Sequence, residues 1–361
     1  MRNLMRHLTD SLGSGRDVLL CRVVATRGST PQKAGAAMLL EPGGGQIGTL
    51  GGGCVEDEVK RKAAGMVGRD GVELHSFVLN HDYAWADGLI CGGKMVILAE
   101  SPKGPGHLAY YQAYRELLDA GRGFTEAIVI DPRRAGSSAS GDRFLFDHEG
   151  RAFASLAGGE PPAGIAGNVA PLDRRPRPSE EGGVAYLPTM PRVRLVIVGA
   201  GHVGQAVAEL AARADFDVWV VDDRRQYANP ERFPAARKLI VGPIGEVLPN
   251  LEITPQTYAV IVTRGHGHDQ EALQHLAPTA AAYVGLIGSK RKIRMIFEAL
   301  LDEGVSEEVL ARVSAPVGLD IGSESVAEIA VSIVAELIAR RNRGEAELNG
   351  LRAIPERPPA S

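Results

Sequence analysis

A glycine-rich turn in the second half of the chain is the strongest chemical signal in the sequence. The turn Gly199-Ala-Gly201-His202-Val-Gly204 directly follows the short apolar run Arg194–Val198 and precedes a helical pattern. Glycines at these spacings allow a tight turn and let backbone N–H groups approach a phosphate, and the start of the helix adds partial positive charge. The spacing therefore predicts a phosphate-binding turn of the dinucleotide-binding type.

Two carboxylates follow the next predicted strand, Val218–Val221. They are Asp222 and Asp223, which lie 18 and 19 residues after Gly204. Carboxylates at this position accept hydrogen bonds from ribose hydroxyls, and they disfavour the 2′-phosphate of NADP. We therefore expect both side chains at the ligand site. Occupancy by NAD is left open, because the same turn holds other phosphorylated ligands in other proteins.

Three further polar loops follow predicted strands. They are Thr263–Asp269 with His266 and His268, Gly288–Lys292 with Ser289, Lys290 and Arg291, and Pro316–Ser323 with Asp320. Ligands in open parallel sheets bind at the carboxyl ends of the strands, so we expect these loops at the ligand edge. The two histidines are candidate metal ligands, although a His-x-His pair without a third ligand is more typical of a hydrogen-bonding loop. Cations at a helix start are unfavourable unless an anion offsets them, so residues 290–292 favour an anionic ligand.

Cys54 is the candidate for sulfur or metal chemistry in the first half. It follows Gly51-Gly52-Gly53 and precedes a helix predicted over residues 55–66, which places the thiol at or just before a helix N-terminus. The helix dipole and exposed N–H groups there favour the thiolate, which acts as a nucleophile, a soft-metal ligand or a sulfur carrier. The acidic residues at 56–58 act partly against this effect. A residue needed only for packing is an equally weighted alternative.

The other two cysteines, Cys21 and Cys91, do not add a second candidate site for sulfur or metal chemistry. Cys21 lies inside an apolar run and is predicted to be structural, whereas Cys91 lies between a loop and a strand. All three are more than 30 positions apart and form no Cys-x-x-Cys pair. The sequence therefore predicts neither a structural zinc site nor a disulfide framework.

Apolar runs and turn signals predict the elements that carry these groups. In the first half we expect a mixed α/β arrangement without a defined sheet order, with strands at residues 18–25, 36–40, 77–79, 95–99, 124–131 and 143–146 and helices at 55–66 and 107–120. In the second half, strand, glycine turn, helix and strand alternate as in right-handed βαβ units. This pattern predicts a Rossmann-like parallel sheet.

A composition change divides the chain. Residues 161–183 are rich in Pro, Gly, Arg and Glu, which predicts a connector. We therefore expect an N-terminal α/β domain over residues 1–190, a Rossmann-like domain over 191–345, and a flexible tail over 346–361. A Ser323 side chain is expected to cap the last helix of the second domain.

Bulk properties narrow the class of protein. Hydrophobic residues at 44% and charged residues at 23% are typical of globular domains. The formal net charge of -4 offers no long-range attraction for polyanions, so we expect no nucleic acid or membrane partner. Because there is no run of 18 apolar residues and no signal-peptide core at the N-terminus, a cytoplasmic protein is expected.

The ordered motifs resemble those of the xanthine dehydrogenase accessory proteins of the XdhC/CoxI type. The resemblance spans nearly the whole chain and is weakest over residues 102–190. Its motifs are Gly28-Ser-Thr-Pro31, Gly51-Gly-Gly-Cys54-Val-Glu56, Cys91-Gly-Gly93, Gly199-Ala-Gly-His-Val203, Val221-Asp-Asp-Arg224, Gly285-Leu-Ile-Gly-Ser-Lys-Arg-Lys292 and Pro316-Val-Gly-Leu-Asp-Ile-Gly322. The last is followed by Ser323-Glu324, where the family pattern leads us to expect Thr-Pro.

The resemblance implies a maturation factor rather than an enzyme with turnover. Such a protein would bind molybdenum cofactor (molybdopterin), with Cys54 near the molybdenum, and would work with a cysteine desulfurase while the cofactor gains its terminal sulfur. It would then deliver the cofactor to a molybdenum hydroxylase apoprotein. A homodimer is expected, with a cleft between the two domains holding the pterin, and with the glycine turns, Arg224, Lys290 and Arg291 at its phosphate.

Two functions of other classes are kept as alternatives. An NAD-dependent oxidoreductase is favoured by the glycine turn and Asp222, with His266 or His268 as acid–base candidates, but the sequence has no Tyr-x-x-x-Lys pair. A redox-sensing regulator could use Cys54, but no DNA-binding motif is evident. Nicotinamide reduction by the purified protein would favour the oxidoreductase.

Overall fold

The structure, a computed structural model, describes residues 1–69, 71–78, 93–137 and 139–343, without the side chains of Cys54 and Ala64. Cys91 and the tail predicted over 346–361 lie outside the described residues. The chain divides into two compact units, Met1–Pro191 and Arg192–Ser361.

An antiparallel sheet forms the first part of the N-terminal unit. Its strands have the order β3-β2-β1-β5-β4, and two helices pack on it. The elements are α1 (Arg2–Gly13), β1 (Leu19–Arg27), β2 (Ala37–Leu40), β3 (Gln46–Gly48), α2 (Gly53–Ala63), a 3-10 turn (Ala64–Met66), β4 (Val72–Val78) and β5 (Lys94–Glu100). Strand β1 is buried on both faces: Leu20 packs with the apolar residues of α1, and Cys21 packs with those of α2.

A second antiparallel sheet completes this unit, in the order β8-β7-β6-β10-β9. Its elements are α3 (Gly104–Ala120), β6 (Phe124–Val129), α4 (Pro132–Ala135), β7 (Arg143–Phe146), β8 (Ala152–Ser155), α5 (Ala163–Ala166), a 3-10 turn (Leu172–Arg174), β9 (Ser179–Glu181) and β10 (Val184–Thr189). The long helix α3 ends at Gly121, whose φ of 69° satisfies the left-handed C-cap that the sequence predicted.

Two buried ion pairs cross between these two sheets. Arg22 on β1 pairs with Glu126 on β6, and Arg143 on β7 pairs with Glu100 on β5. All four side chains are at most 1% exposed. Hydroxyls from α3 add hydrogen bonds to the two carboxylates, from Tyr110 to Glu126 and from Tyr111 to Glu100. The charges are therefore paired and hydrogen-bonded, as burial requires.

The segment over residues 161–183 differs from the predicted connector. It contains α5 and β9, and β9 pairs antiparallel with β10. Two of its apolar side chains, Ile165 and Leu172, are buried at 1% and 7% exposure. Composition averaged over residues 161–183 is dominated by polar residues, Pro and Gly, so it does not reveal the two buried apolar side chains. Composition alone therefore predicted a loosely packed connector.

The C-terminal unit is a Rossmann-like domain, which confirms the predicted fold class. Its strands are all parallel in the order β13-β12-β11-β14-β15-β16. The elements are β11 (Arg194–Val198), α6 (His202–Arg213), β12 (Asp217–Asp222), β13 (Lys238–Val241), α7 (Ile244–Val247), a 3-10 turn (Leu248–Asn250), β14 (Thr257–Ile261), α8 (His266–Leu276), β15 (Tyr283–Leu286), α9 (Lys290–Asp302), α10 (Glu307–Ala311), β16 (Val313–Ser314) and α11 (Val326–Arg343).

The parallel sheet is covered on both faces, as its apolar strands require. In β11, Leu195 and Ile197 face a core shared with α6 and α11, and Val196 and Val198 face a core shared with α8 and α9. Full burial of each such side chain stabilises the fold by about 1.5–3 kcal/mol. The sheet is therefore a rigid support for the loops at its carboxyl edge.

The last helix, α11, begins with a different cap from the predicted one. The hydroxyl of Ser325 accepts a hydrogen bond from the N–H of Glu328, and the Glu328 carboxylate accepts from the N–H groups of Ser325 and Glu324. This reciprocal arrangement is a capping box. The prediction of Ser323 as the cap was wrong, because the helix starts two residues later. In the described part of the chain, no helix has the length and apolarity needed to cross a membrane.

Candidate functional site

The glycine turn between β11 and α6 has the geometry that the sequence predicted. Gly199 has a φ of 116°, and a Cβ there would lie 2.5 Å from the carbonyl oxygen of Val262. A Cβ on Gly204 would lie 2.0 Å from the carbonyl oxygen of Gly199. These two glycines are needed by the fold itself. Gly201, at the N-cap of α6, is half-buried and has open space where its Cβ would be, so no steric contact of a side chain explains this glycine. His202 follows it and is exposed.

Asp222 ends β12 directly beside this turn and is 4% exposed. Its Oδ2 accepts from the N–H of Ala200 at 2.7 Å and from Arg224 Nη2 at 3.0 Å, and its Oδ1 accepts from the N–H and Nε of Arg224, both at 2.9 Å. Burial alone would raise the pKa of this carboxyl, but the hydrogen bonds from Arg224 and Ala200 outweigh burial and hold the pKa below its usual value. Asp222 is therefore a partnered carboxylate.

Two arginines stack against one tyrosine in the connection after β12. The guanidinium carbon of Arg224 lies 3.9 Å from the ring centroid of Tyr227, and that of Arg232 lies 5.0 Å from it. Arg232 also donates to the carbonyl of Ala200 in the glycine turn at 3.2 Å. Its Nε is buried and has no hydrogen-bond partner among the described residues. Two cations are thus fixed next to the turn.

A small cleft at the carboxyl edge brings several predicted residues together. Gly199, Asp222, Asp223, Arg224 and His268 all line it, together with Ile244, Thr263 and Arg264. Asp223 is about one-third exposed and lies 3.5 Å from Arg224 Nε and from Arg264 Nη2. The prediction that the loops after successive strands meet at this edge therefore agrees with the structure for these residues.

The segment with the two histidines is the start of helix α8 rather than a continuous loop. Its organising residue is Asp269, which is fully buried. Asp269 accepts hydrogen bonds from the N–H and hydroxyl of Thr263, and it pairs with Lys292 at the start of α9. His266 is exposed and His268 is partly buried. Among the described residues, no three His, Cys, Asp or Glu side chains are grouped to hold a metal ion.

The pairing of Lys292 changes the interpretation of the basic helix start. Asp269 supplies an anion for Lys292 from within the protein, so this cation does not require a ligand. Ser289 caps α9 by accepting from the N–H of Lys292 at 3.3 Å, while Lys290 and Arg291 are exposed. Asp320 is also exposed and accepts from the N–H of Gly322 at 3.4 Å. These three exposed residues do not line the cleft, and a ligand role for them stays a prediction.

The other predicted group, Gly51 to Cys54, belongs to the N-terminal unit. Helix α2 begins at Gly53, two residues before the predicted start at residue 55, so the backbone of Cys54 lies in its first turn. Gly51 has a φ of 117°, and a Cβ there would lie 2.7 Å from Pro31. The backbone conformation of Gly51 and the contact with Pro31 both exclude a larger side chain at this position. The fold alone therefore explains why residue 51 is a glycine.

Glu56 organises the loop before α2. Its carboxylate accepts from Gln46 Nε2 at 3.0 Å, from the hydroxyl of Thr49, and from the N–H groups of Leu50 and Gly52 at 2.8 and 3.0 Å. Burial would raise its pKa, but these hydrogen bonds lower the pKa to about 2. The N–H of Gly51 donates to the Thr49 hydroxyl. The N–H groups of Gly51 and Gly52 therefore already donate to side chains of the protein, and a cofactor role for Gly51, Gly52 and Gly53 stays a prediction.

Sequence reasoning missed four residues that shape these sites: Tyr227, Arg232, Asp269 and Lys292 in its paired role. The first two lie in an irregular connection, and no local pattern marks their contact with the turn. Asp269 did carry a signal, since an acidic residue in the first turn of a helix is favoured there. That signal would have become visible only if the start of α8 had been placed at His266.

The fold and the site define a protein with an antiparallel N-terminal unit and a Rossmann-like C-terminal unit that carries a glycine turn between β11 and α6. Family patterns agree with this architecture: the XdhC and CoxI family matches residues 11–77, and the XdhC Rossmann domain matches residues 195–337. The chain belongs to the XdhC and CoxI family.

Individual relatives match over nearly the whole chain. A Bacillus subtilis (strain 168) protein, described as a probable xanthine dehydrogenase subunit, is 30% identical, over 95% of this chain and 99% of its own length. The molybdenum cofactor insertion chaperone PaoD of Escherichia coli (strain K12) is 23% identical, over 94% of this chain and 88% of its own length. The crystal structure of a xanthine dehydrogenase from Bacillus halodurans superposes with a TM-score of 0.75 at 25% identity, covering 95% of this chain and 97% of that one.

Proposed function

We propose that this chain binds molybdenum cofactor and assists its insertion into a molybdenum hydroxylase of the xanthine dehydrogenase or CO dehydrogenase type. The observation that carries the proposal is the similarity to a molybdenum cofactor insertion chaperone over 94% of the chain, within the XdhC and CoxI family. Because both units are matched, the similarity is not that of a Rossmann domain alone.

The glycine turn supports the phosphate end of this proposal. Gly201 is half-buried at the N-cap of a 12-residue helix with open space at its Cβ position, and Arg224 and Arg232 are fixed beside the turn. Backbone N–H groups and guanidinium groups are the donors that bind phosphate best in proteins. These residues would hold the phosphate of the pterin, and the cofactor would supply the molybdenum centre that the client enzyme needs.

Cys54 is proposed to handle the sulfur or to lie near the molybdenum. Its backbone position in the first turn of α2 supports this role, because the start of a helix favours a thiolate and soft metals favour thiolate ligands. We further propose that the protein receives sulfur through a cysteine desulfurase and works as a homodimer. The carrier then needs no turnover chemistry of its own.

Anaerobic binding of purified molybdenum cofactor, followed by activation of a client apoenzyme, tests the function. We expect Cys54→Ala to lower client activation by tenfold or more and to leave the fold intact. Cys21→Ala is the matched control, since burial and the nearby Glu100 raise the pKa of the Cys21 thiol to about 12 and keep it protonated. If Cys54→Ala activates the client as well as wild type, the sulfur role is abandoned. If wild type binds no cofactor, the chaperone function is abandoned.

A further inference from the structure

In dinucleotide-binding folds, the carboxylate at the end of the second strand accepts hydrogen bonds from the ribose hydroxyls. Asp222 occupies this position at the end of β12, beside the glycine turn. An ionised carboxylate offers about four acceptor positions. Asp222 receives four donors from its own chain, one from Ala200 and three from Arg224. No acceptor position is left for a ribose diol.

Arg224 is held in place by more than its pair with Asp222. Its guanidinium lies 3.9 Å from the centroid of the Tyr227 ring, and the N–H groups of Tyr227 and Ala228 both donate to the Arg224 carbonyl at 3.0 and 3.1 Å. The turn therefore folds the tyrosine against the arginine. A fork-shaped pair with a carboxylate combined with stacking on an aromatic ring is among the stronger fixed arrangements available to arginine.

The charges around the turn point to a phosphate rather than a diol. Arg224, Arg232 and Arg264 stand near two carboxylates, Asp222 and Asp223, of which Asp222 is buried and fully partnered. Gly201, in the same turn, leaves open space at its Cβ position. A ligand that presents a phosphate would meet donors here, whereas a ribose diol would meet a carboxylate without free acceptor positions.

We propose that the glycine turn of this chain recognises its ligand through phosphate and is closed to the ribose diol of dinucleotides such as NAD, with Arg224 as the specificity-determining residue. The inference rests on the proposed function only in treating this turn as a ligand site. It assigns the ligand to the class of phosphate-terminated molecules and separates this domain from the NAD-binding proteins that share its glycine spacing.

Titration calorimetry of the full chain with NAD and ADP-ribose, whose adenosine riboses both carry a free diol, tests the proposal. We expect wild type to bind both no better than about millimolar. Arg224→Met keeps an aliphatic stem against Tyr227 and frees one acceptor position on each oxygen of Asp222, so we expect ADP-ribose and NAD to bind at least about tenfold more tightly. Arg225→Met is the matched control, because Arg225 is exposed, and it should bind like wild type.

The outcomes separate cleanly. Micromolar binding of NAD or ADP-ribose by wild type overturns the proposal without any variant, so a failure of Arg224→Met to fold does not protect it. A folded Arg224→Met protein with no gain in affinity overturns the assignment of Arg224. Adding Asp222→Asn to Arg224→Met should abolish the gain. Binding of molybdenum cofactor by wild type is measured separately, and its absence would count against the proposed function and not against the exclusion of NAD.

Discussion

At the scale of single residues, two carboxylates show how hydrogen bonding decides what a motif residue does. Asp222 and Glu56 both lie beside glycine-rich segments, and both are mostly buried. Each accepts from backbone N–H groups of the adjacent loop, so each carboxylate holds a glycine segment in shape. Both carboxylates are therefore already hydrogen-bonded to groups of the protein itself, without a ligand.

Glu56→Gln is expected to destabilise the N-terminal unit. The amide keeps the size of the side chain but replaces one acceptor oxygen by a donor, which leaves loop N–H groups unsatisfied at a cost of about 1–3 kcal/mol. Chemical denaturation measures the loss. Asp57→Asn removes one charge from the exposed neighbouring position and should change stability little. Equal losses in both variants would contradict the role of Glu56.

The same carboxylate gives an acid-stability prediction. The pKa of Glu56 is lowered from 4.5 to about 2 in the folded protein. A lowered folded-state pKa means that the stabilisation is fully present above about pH 4.5 and is lost as the pH falls toward about 2. Wild type should therefore lose more stability than Glu56→Gln between those two values. Denaturation midpoints measured across this range would refute the prediction if the two proteins lost stability in parallel.

At the scale of elements, the ends of helices carry much of the local information. Helix α3 stops at Gly121, α9 begins at Ser289, and α11 begins with the box formed by Ser325 and Glu328. The end of α3 at Gly121 was predictable from the sequence, because glycine tolerates the left-handed conformation of a helix C-cap. The start of α11 could not be predicted in this way. Ser323 and Ser325 are both suitable N-cap residues, and only the observed backbone conformation shows that Ser325 is the cap.

Ser325→Ala should cost about 1 kcal/mol, the usual value of an N-cap side chain. Ser323→Ala provides a closely matched control, since it removes the same hydroxyl from the same segment without touching the capping box. Thermal or urea denaturation of both variants is the measurement. A larger loss for Ser323→Ala would restore the cap that the sequence predicted and would argue against the observed start of α11.

At the scale of the whole molecule, the two units differ in the kinds of side chains that they bury between their layers. The C-terminal unit covers an apolar parallel sheet with helices on both faces. The N-terminal unit instead joins two antiparallel sheets with reciprocal ion pairs, Arg22 with Glu126 and Arg143 with Glu100. A buried pair is weak evidence for net stability, but breaking one is expensive, because the remaining charge is left uncompensated.

Glu126→Gln is therefore expected to destabilise the protein by about 3–5 kcal/mol. The double variant Arg22→Met with Glu126→Leu should lose less than Glu126→Gln, because it leaves no unpaired charge between the sheets. Glu116→Gln, at an exposed position of α3, serves as the control. Urea denaturation would contradict this account if the double variant were the less stable of the two.

The sequence by itself determined the Rossmann-like sheet, the glycine turn and the family, because these depend on local spacing. A strand followed by a glycine turn and a helix can be read over about twenty neighbouring residues. The order of the antiparallel strands and the structure within residues 161–183 could not be read in this way. Strand β1 pairs with β5, where Leu20 lies opposite Glu100, 80 positions away, and no local pattern encodes that partner.

Only the tertiary structure decided which polar groups are already in use. Arg22 pairs with Glu126, 104 positions away in the sequence, and Asp269 pairs with Lys292, 23 positions away. Asp222 had the right position for a ribose, yet the fold gives all its acceptor positions to Arg224 and Ala200. A residue's type and spacing set what it is able to bind. Its neighbours in space set what remains free, because a hydrogen-bond acceptor satisfied within the chain has little left to offer a ligand.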